Sequence, residues 1–343
     1  MGIFKQTTLF MAVTCLLFVL AEGLSSTTIA FYEMLRSNSH PQVNHYDEFL
    51  GWASLPDTNI PDMYGPGVYV RTNSRGFRND SETGIEAPDG KTRIICSGDS
   101  FTYGEGVANN HSWCHFLSEL NHELDTVNLG QPGYGVDQMY LRYMRDATGI
   151  EHSVHIFAFI GADFDRMGLR NNYHYGKPVL NITEDSLIVE NIPVPYIQPT
   201  IGRALARADF RTVDFGKRVI AKLFRKAPEE GDITERIGPV AAKVFQAISR
   251  LGEENNVYPV FVYLAVLNDI RNDQQGKWHE WVTDTMDTLD LPFIDLTPAL
   301  QALPAGVAAS FFIPPGEPEA GHYSVAGNQW VADKLHKHLN EMP

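Results

Sequence analysis

A serine hydroxyl inside a glycine-rich string is the first group in this chain that could do covalent chemistry. Ser100 lies in Gly98-Asp99-Ser100-Phe101-Thr102-Tyr103-Gly104-Glu105-Gly106-Val107. A bare Gly-Asp-Ser would read as a turn. The longer string, directly after the apolar run Thr92–Cys96, reads as a nucleophile delivered at the tip of a buried strand. Thr102 stands two residues after the serine, so the string is not the G-x-S-x-G elbow. Acyl transfer through serine needs a base, a group that orients the base, and donors for the oxyanion. Of the twelve histidines, His322 suits the base best, in Glu319-Ala320-Gly321-His322-Tyr323-Ser324-Val325-Ala326-Gly327-Asn328. Glu319, three residues earlier, can orient its imidazole from the same turn. A helix-cap loop would account for His322 and Ser324 taken alone.

The other histidines have less to offer. His111 and His115 share a metal-ligand spacing, but no nearby carboxylate completes a set. His152 and His155 flank the start of a strand, the wrong end for this chemistry. The expectation is therefore no metal and no cofactor.

To bring Ser100 and His322 together, the chain needs a parallel sheet. Strand-like runs at 92–97, 125–129, 153–160, 257–265 and 291–296 alternate with helical patterns at 112–124, 135–148, 235–254, 272–289 and 324–340. Ligands of such sheets bind outside the carboxyl ends of the strands. Ser100 follows the first strand, Asn128-Leu129-Gly130 ends the second and Ile160-Gly161-Ala162-Asp163 the third, while His322 precedes the last helix. Residues 32–90 read as an irregular or β-containing lead-in packed on a 91–343 domain. An insertion at 166–232 interrupts the alternation. Within it, 177–195 reads as a β-hairpin turning at Glu184-Asp185-Ser186. Residues 203–226 carry five Arg and three Lys at helical spacing, a solvated face by default, or a contact to an anionic ligand or membrane surface.

The chain has 343 residues and a net charge of −15, which argues against nucleic-acid binding. Leu9–Ala21 is an uncharged apolar run. It suits a signal-peptide core better than a full bilayer span. Renewed apolar character at Ile29-Ala30-Phe31 keeps membrane attachment through residues 7–31 as the other reading. Residues 1–31 are therefore expected to be a signal peptide or an anchor, with the folded part exported to the periplasm or outside the cell. Cys15 lies in the apolar run. Cys96 and Cys114 are expected to be buried thiols, because the sequence does not bring their Cβ atoms face to face.

Together the Gly98–Val107 string, Asn128-Leu129-Gly130 followed by Pro132-Gly133-Tyr134-Gly135, the Gly161–Asp163 element and the closing His322 resemble the SGNH/GDSL hydrolases. The likeness runs from about Leu50 to the carboxy terminus. Leu50-Gly51-Trp52 and Thr72–Arg78 are similar to a lead-in of exported bacterial members. The resemblance implies a three-layer α/β/α, flavodoxin-like SGNH-hydrolase fold with a five-stranded parallel sheet. It implies a Ser100–His322–Glu319 triad, with Gly130, Ala162, Asp99 and Asp163 as oxyanion or substrate-side positions. Oxyanion donors would be the N–H groups of Ser100 and Gly130 and an Asn side chain, in whose place stands Ala162. Loss of one such donor costs about 2.7–4 kcal/mol, a deficit that Asn171 or Asn172 is close enough in sequence to offset. Glu319 stands where an Asp is expected.

The function so expected is a serine esterase or O-acyltransferase, acting on a small-molecule or glycan ester through an acyl-enzyme. The alternative is a catalytically impaired protein on the same fold that holds an acylated glycan or lipid without turnover.

Overall fold

The structure is a computed structural model that describes residues 6–20, 22–23, 43–172, 175–196, 233–271, 276–317 and 319–341. The chain divides into two compact units, one of residues 43–196 with 231–343, the other of residues 1–42 with 197–230. In the smaller unit, residues 6–20 form an exposed helix. No helix among the described residues is long and apolar enough to cross a membrane. The basic segment 203–226, and residues 24–31 of the expected anchor, lie outside the described residues.

The larger unit is built on five parallel strands: β1 (Thr92–Ser97), β2 (Leu124–Asn128), β3 (Val154–Phe159), β4 (Tyr258–Tyr263) and β5 (Phe293–Asp295). Their spatial order is β2-β1-β3-β4-β5, the flavodoxin-like order that sequence reading anticipates. Register aligns Cys96 with Asn128 on one side and Ile156 on the other, so the carboxyl ends of the strands form one rim.

Both faces of the sheet are covered, which is why the strands read as continuous apolar runs rather than alternating ones. Ile156 and Ala158 of β3 join Ile94 and Cys96 in a core shared with Trp113 and Leu117 of α2 (Trp113–Leu120) and Val331 and Leu335 of α7 (Val325–Asn340). Phe157 and Phe159 point the other way. They pack with Met139 of α3 (Val136–Asp146), Val244 and Phe245 of α5 (Ile233–Asn255) and Trp278 of α6 (Lys277–Thr288). Two further short helices carry site residues: α1 (Ser100–Tyr103) and α4 (Gly161–Met167).

The lead-in is two small antiparallel ladders, Asn44–Asp47 with Gly51–Ser54 and Asn59–Ile60 with Val70–Arg71. Trp52 is buried in the β3–α3 core, and its indole N–H donates to the Pro132 carbonyl at 3.0 Å. The expected hairpin forms from Val179–Thr183 and Ser186–Glu190. Glu184 and Asp185 at its tip both have positive φ, 49° and 66°, as a two-residue type I′ turn requires. One expectation is overturned: Cys96 and Cys114 form a disulfide, with Cα atoms 6.3 Å apart. The side chain of Cys96 faces the layer in which α2 lies, and α2 packs flat enough on β1 to bring the second sulfur within bonding reach.

Candidate active site

Ser100 opens α1 immediately beyond β1. Asp99 caps that short helix, its Oδ1 accepting the Phe101 N–H at 2.8 Å. Gly98 is required for the turn, since a Cβ there would sit 2.7 Å from the Ala158 carbonyl oxygen and closer still to Thr102 Oγ1. Arg78, buried, clamps the chain just beyond α1: its guanidinium donates to the carbonyls of Tyr103 (2.6 Å), Gly104 and Val107 and to Asn109 Oδ1 (2.9 Å).

His322 arrives from the loop before α7. That loop is fixed by the Ile313 N–H donating to the His322 carbonyl (2.8 Å) and the Gly321 N–H to the Ile313 carbonyl (2.9 Å). Ser324 caps α7, accepting the Gly327 N–H at 3.2 Å. Asn328 of the same helix accepts the Trp113 N–H of α2 at 3.0 Å. The helix after the serine is thereby docked on the helix after the histidine. Phe101 lies under the imidazole, ring centroids 5.0 Å apart.

The two reactive groups meet. Ser100 Oγ and His322 Nε2 are 2.8 Å apart. His322 Nδ1 is 3.0 Å from the backbone carbonyl of Glu319. A carbonyl can only accept, so Nδ1 carries the proton and Nε2 keeps a lone pair for the serine O–H. Ser100 is 4% exposed, whereas the His322 side chain is 21% exposed, so the pair reaches solvent through the imidazole. Here the structure differs from the expected triad: the group on Nδ1 is the main-chain oxygen of Glu319, not its carboxylate. Glu319 adopts φ +59°, an uncommon conformation for a non-glycine residue, in the turn that supplies this oxygen.

A carboxyl to which sequence reading gives no role stands beside the imidazole. Glu105 Oε2 is 3.6 Å from His322 Nε2. Burial, and then the charges of Glu319 and Asp99, push its pKa up to about 8. Glu105, Glu319 and His322 place one ligand-type atom each within 4.8 Å of one another. Glu105 lies within the string that singles out Ser100, so the signal was present.

Of the remaining site positions, Asp99 and Asp163 hold the loops. Asp99 and Asp163 are fully buried. Asp163 Oδ2 accepts the Ile160 N–H at 2.9 Å, and Arg166 bridges Asp163 and Asp99, the latter at 3.3 Å. Burial and the neighbouring Asp99 charge hold the Asp163 carboxyl well above the usual carboxylate range. The Gly130 N–H donates to Asn128 Oδ1 at 2.9 Å, so this expected oxyanion donor has an internal acceptor. No hydrogen bond among the described residues uses the Ser100 N–H, which opens the first turn of α1. Ala162 is exposed in the first turn of α4. Asn172, one candidate to replace its missing amide, donates to the Gly133 carbonyl at 2.8 Å. The exposed Asn171 pairs with Gly176 in a small ladder.

His155, His152 and His115 have partners of their own. His155 is buried, 2.9 Å from Ser97 Oγ and stacked on Tyr143. His152 contacts the Tyr143 hydroxyl, and His115 pairs with Glu119 on the surface.

No family model matches the sequence, and no curated protein matches it. Among solved structures, the chain is similar to a lipase/acylhydrolase from Enterococcus faecalis, at 14% identity and TM-score 0.41 over 72% of this chain and 95% of that one. It is similar to a member of the lipolytic G-D-S-L family from Veillonella parvula, at 12% identity and TM-score 0.44 over 73% and 100%. A third likeness is to an acetyl xylan esterase, at 15% identity and TM-score 0.40 over 72% and 98%.

Proposed function

We propose that this protein is a serine esterase that cleaves an ester through an acyl-enzyme, with Ser100 as nucleophile and His322 as base. The 2.8 Å contact between Ser100 Oγ and His322 Nε2 is the observation that carries the reading. It has the geometry required of a nucleophile and its general base. In the reaction, Oγ attacks the ester carbonyl as Nε2 takes its proton. The imidazolium so formed is held by its Nδ1–H on the Glu319 carbonyl. The Ser100 N–H donates to the oxyanion. His322 then returns the proton to the departing alcohol, and water repeats the sequence to release the acid. An alcohol in place of water makes the same enzyme an O-acyltransferase, and product analysis with and without an added sugar acceptor separates the two outcomes.

Export is part of the proposal. The apolar run Leu9–Ala21 and the disulfide both suit an oxidising compartment such as the periplasm or the extracellular space. The substrate class is a small-molecule or glycan ester.

A second reading is a protein that binds an acylated glycan or lipid without turning it over. It is favoured by the engagement of the Gly130 N–H by Asn128 and by the methyl of Ala162. A fluorophosphonate probe and a chromogenic acetyl ester test the first reading. The wild type is expected to label and turn over, and Ser100→Ala to do neither. Equal labelling of Ser100→Ala removes the nucleophile assignment. Ligand retention with no turnover by the wild type selects the second reading.

A further inference from the structure

A nucleophilic serine has one proton to give, and here two acceptors stand within reach of it. His322 Nε2 lies 2.8 Å from Ser100 Oγ, and Asp99 Oδ2 lies 3.4 Å from the same oxygen. Only the first direction hands the proton to a base that can pass it on to a leaving group. Asp99 is fully buried, so bulk water does not weaken its pull. A serine O–H turned toward Asp99 is idle.

Arg166 of α4 engages that second acceptor. Its Nη1 donates to Asp99 Oδ2 at 3.3 Å, the same oxygen that faces Ser100. Asp99 Oδ1 already accepts the Phe101 N–H at 2.8 Å, so both carboxylate oxygens have a fixed donor. The same Nη1 donates to the Tyr134 carbonyl at 3.0 Å and to Asp163 Oδ1. Gly135 allows this reach. A Cβ there would lie 2.9 Å from the Asp163 carbonyl oxygen and 3.1 Å from the Met167 nitrogen, so the chain beyond Gly130 lies directly on α4. One largely buried cation thereby joins the turns that follow β1, β2 and β3.

We propose that Arg166 is a positioning residue of the ester-cleaving reaction: by holding Asp99 Oδ2 it leaves the Ser100 O–H to His322. This rests on the esterase reading above. The arginine acts through Asp99, and its guanidinium keeps its charge at every working pH. Without it, the donors left to the Asp99 carboxylate are the Phe101 N–H, its hydrogen-bonded neighbour Asp163 and the Ser100 O–H. A buried charge stripped of its cation draws harder on the donors that remain. The serine proton is then divided between two acceptors, and the fraction aimed at His322 falls.

The test is a double-mutant cycle on p-nitrophenyl acetate turnover, using wild type, Arg166→Met, Asp99→Asn and the double variant. The rate of fluorophosphonate labelling is read alongside. Arg166→Met is expected to lower kcat about tenfold with KM within about twofold, and to slow labelling by a similar factor. In the Asp99→Asn background, where the acceptor is a neutral amide, the same change is expected to cost less than about twofold. Equal losses in the two backgrounds would make Arg166 a tie between loops only, and overturn the proposal. So would a rise in KM at unchanged kcat. If Arg166→Met lacks the wild-type circular dichroism, Arg166→Gln takes its place in the cycle, with the same two outcomes. Activity that persists in Ser100→Ala overturns the esterase reading itself, whatever Arg166 does. If the wild type labels without turnover, the labelling rates alone decide the cycle. A wild type that does neither overturns both.

Discussion

The orienting group on His322 is a peptide oxygen, and a peptide oxygen cannot be removed by changing a side chain. Where a buried carboxylate holds a catalytic imidazole, its loss costs about 10⁴ in kcat, largely because the wrong tautomer forms. Here Nδ1 donates to the Glu319 carbonyl at 3.0 Å, and Glu319→Gln leaves that oxygen in place. The substitution is accordingly expected to cost less than about tenfold in kcat for an acetyl ester, far below that benchmark. A loss near the benchmark would mean that the Glu319 carboxylate swings onto the imidazole during turnover. The sequence made Glu319 visible as a candidate through its position three residues before His322. Which of its oxygens does the work depends on the backbone conformation at φ +59°, and residue type does not report that. Glu105 stood in the string around Ser100, but its place beside His322 was not legible there. That place depends on the 313–322 loop folding over Gly106, a contact more than 200 residues away in sequence.

Strands and helices were far more legible than side-chain roles, because apolar runs and helical periodicity are local signals. The pattern expected at 92–97 forms at Thr92–Ser97, and that expected at 324–340 forms at Val325–Asn340. The disulfide was not legible. It needs α2 to cross β1 at one height, a property of packing between layers and not of either segment. Its position gives it leverage. Cys96 lies four residues before Ser100, and Cys114 lies on α2, which docks on α7 just beyond His322. Bridging positions 18 apart constrains the unfolded chain by about 3 kcal/mol. The double variant Cys96→Ala/Cys114→Ala is therefore expected to unfold at lower urea with about that loss in stability. An unchanged urea midpoint would mean that the native bond carries strain equal to its benefit.

For the molecule as a whole, the ionisable groups withdrawn from solvent decide how stability depends on pH. Glu105 is raised to about 8 by burial, and His279 is raised by its hydrogen bond to Asp295, 2.7 Å away. Both hold protons more tightly in the folded chain than in the unfolded one. A group of that kind loses stability as pH climbs from its unfolded to its folded value. His152 and His155 act in the opposite sense, being lowered by burial. Their effect is confined to pH below their ordinary 6.5. Between pH 6.5 and 8 the raised groups alone set the slope, and the net charge of −15 adds self-repulsion in the same direction. Tm is expected to fall across this interval. Added salt screens the surface repulsion more than it screens the half-buried Glu105. In 0.5 M NaCl, Glu105→Gln should therefore show a shallower decline than the wild type between pH 6.5 and 8, as read by thermal melts. Parallel declines in the two proteins would mean that Glu105 is already ionised at pH 6.5.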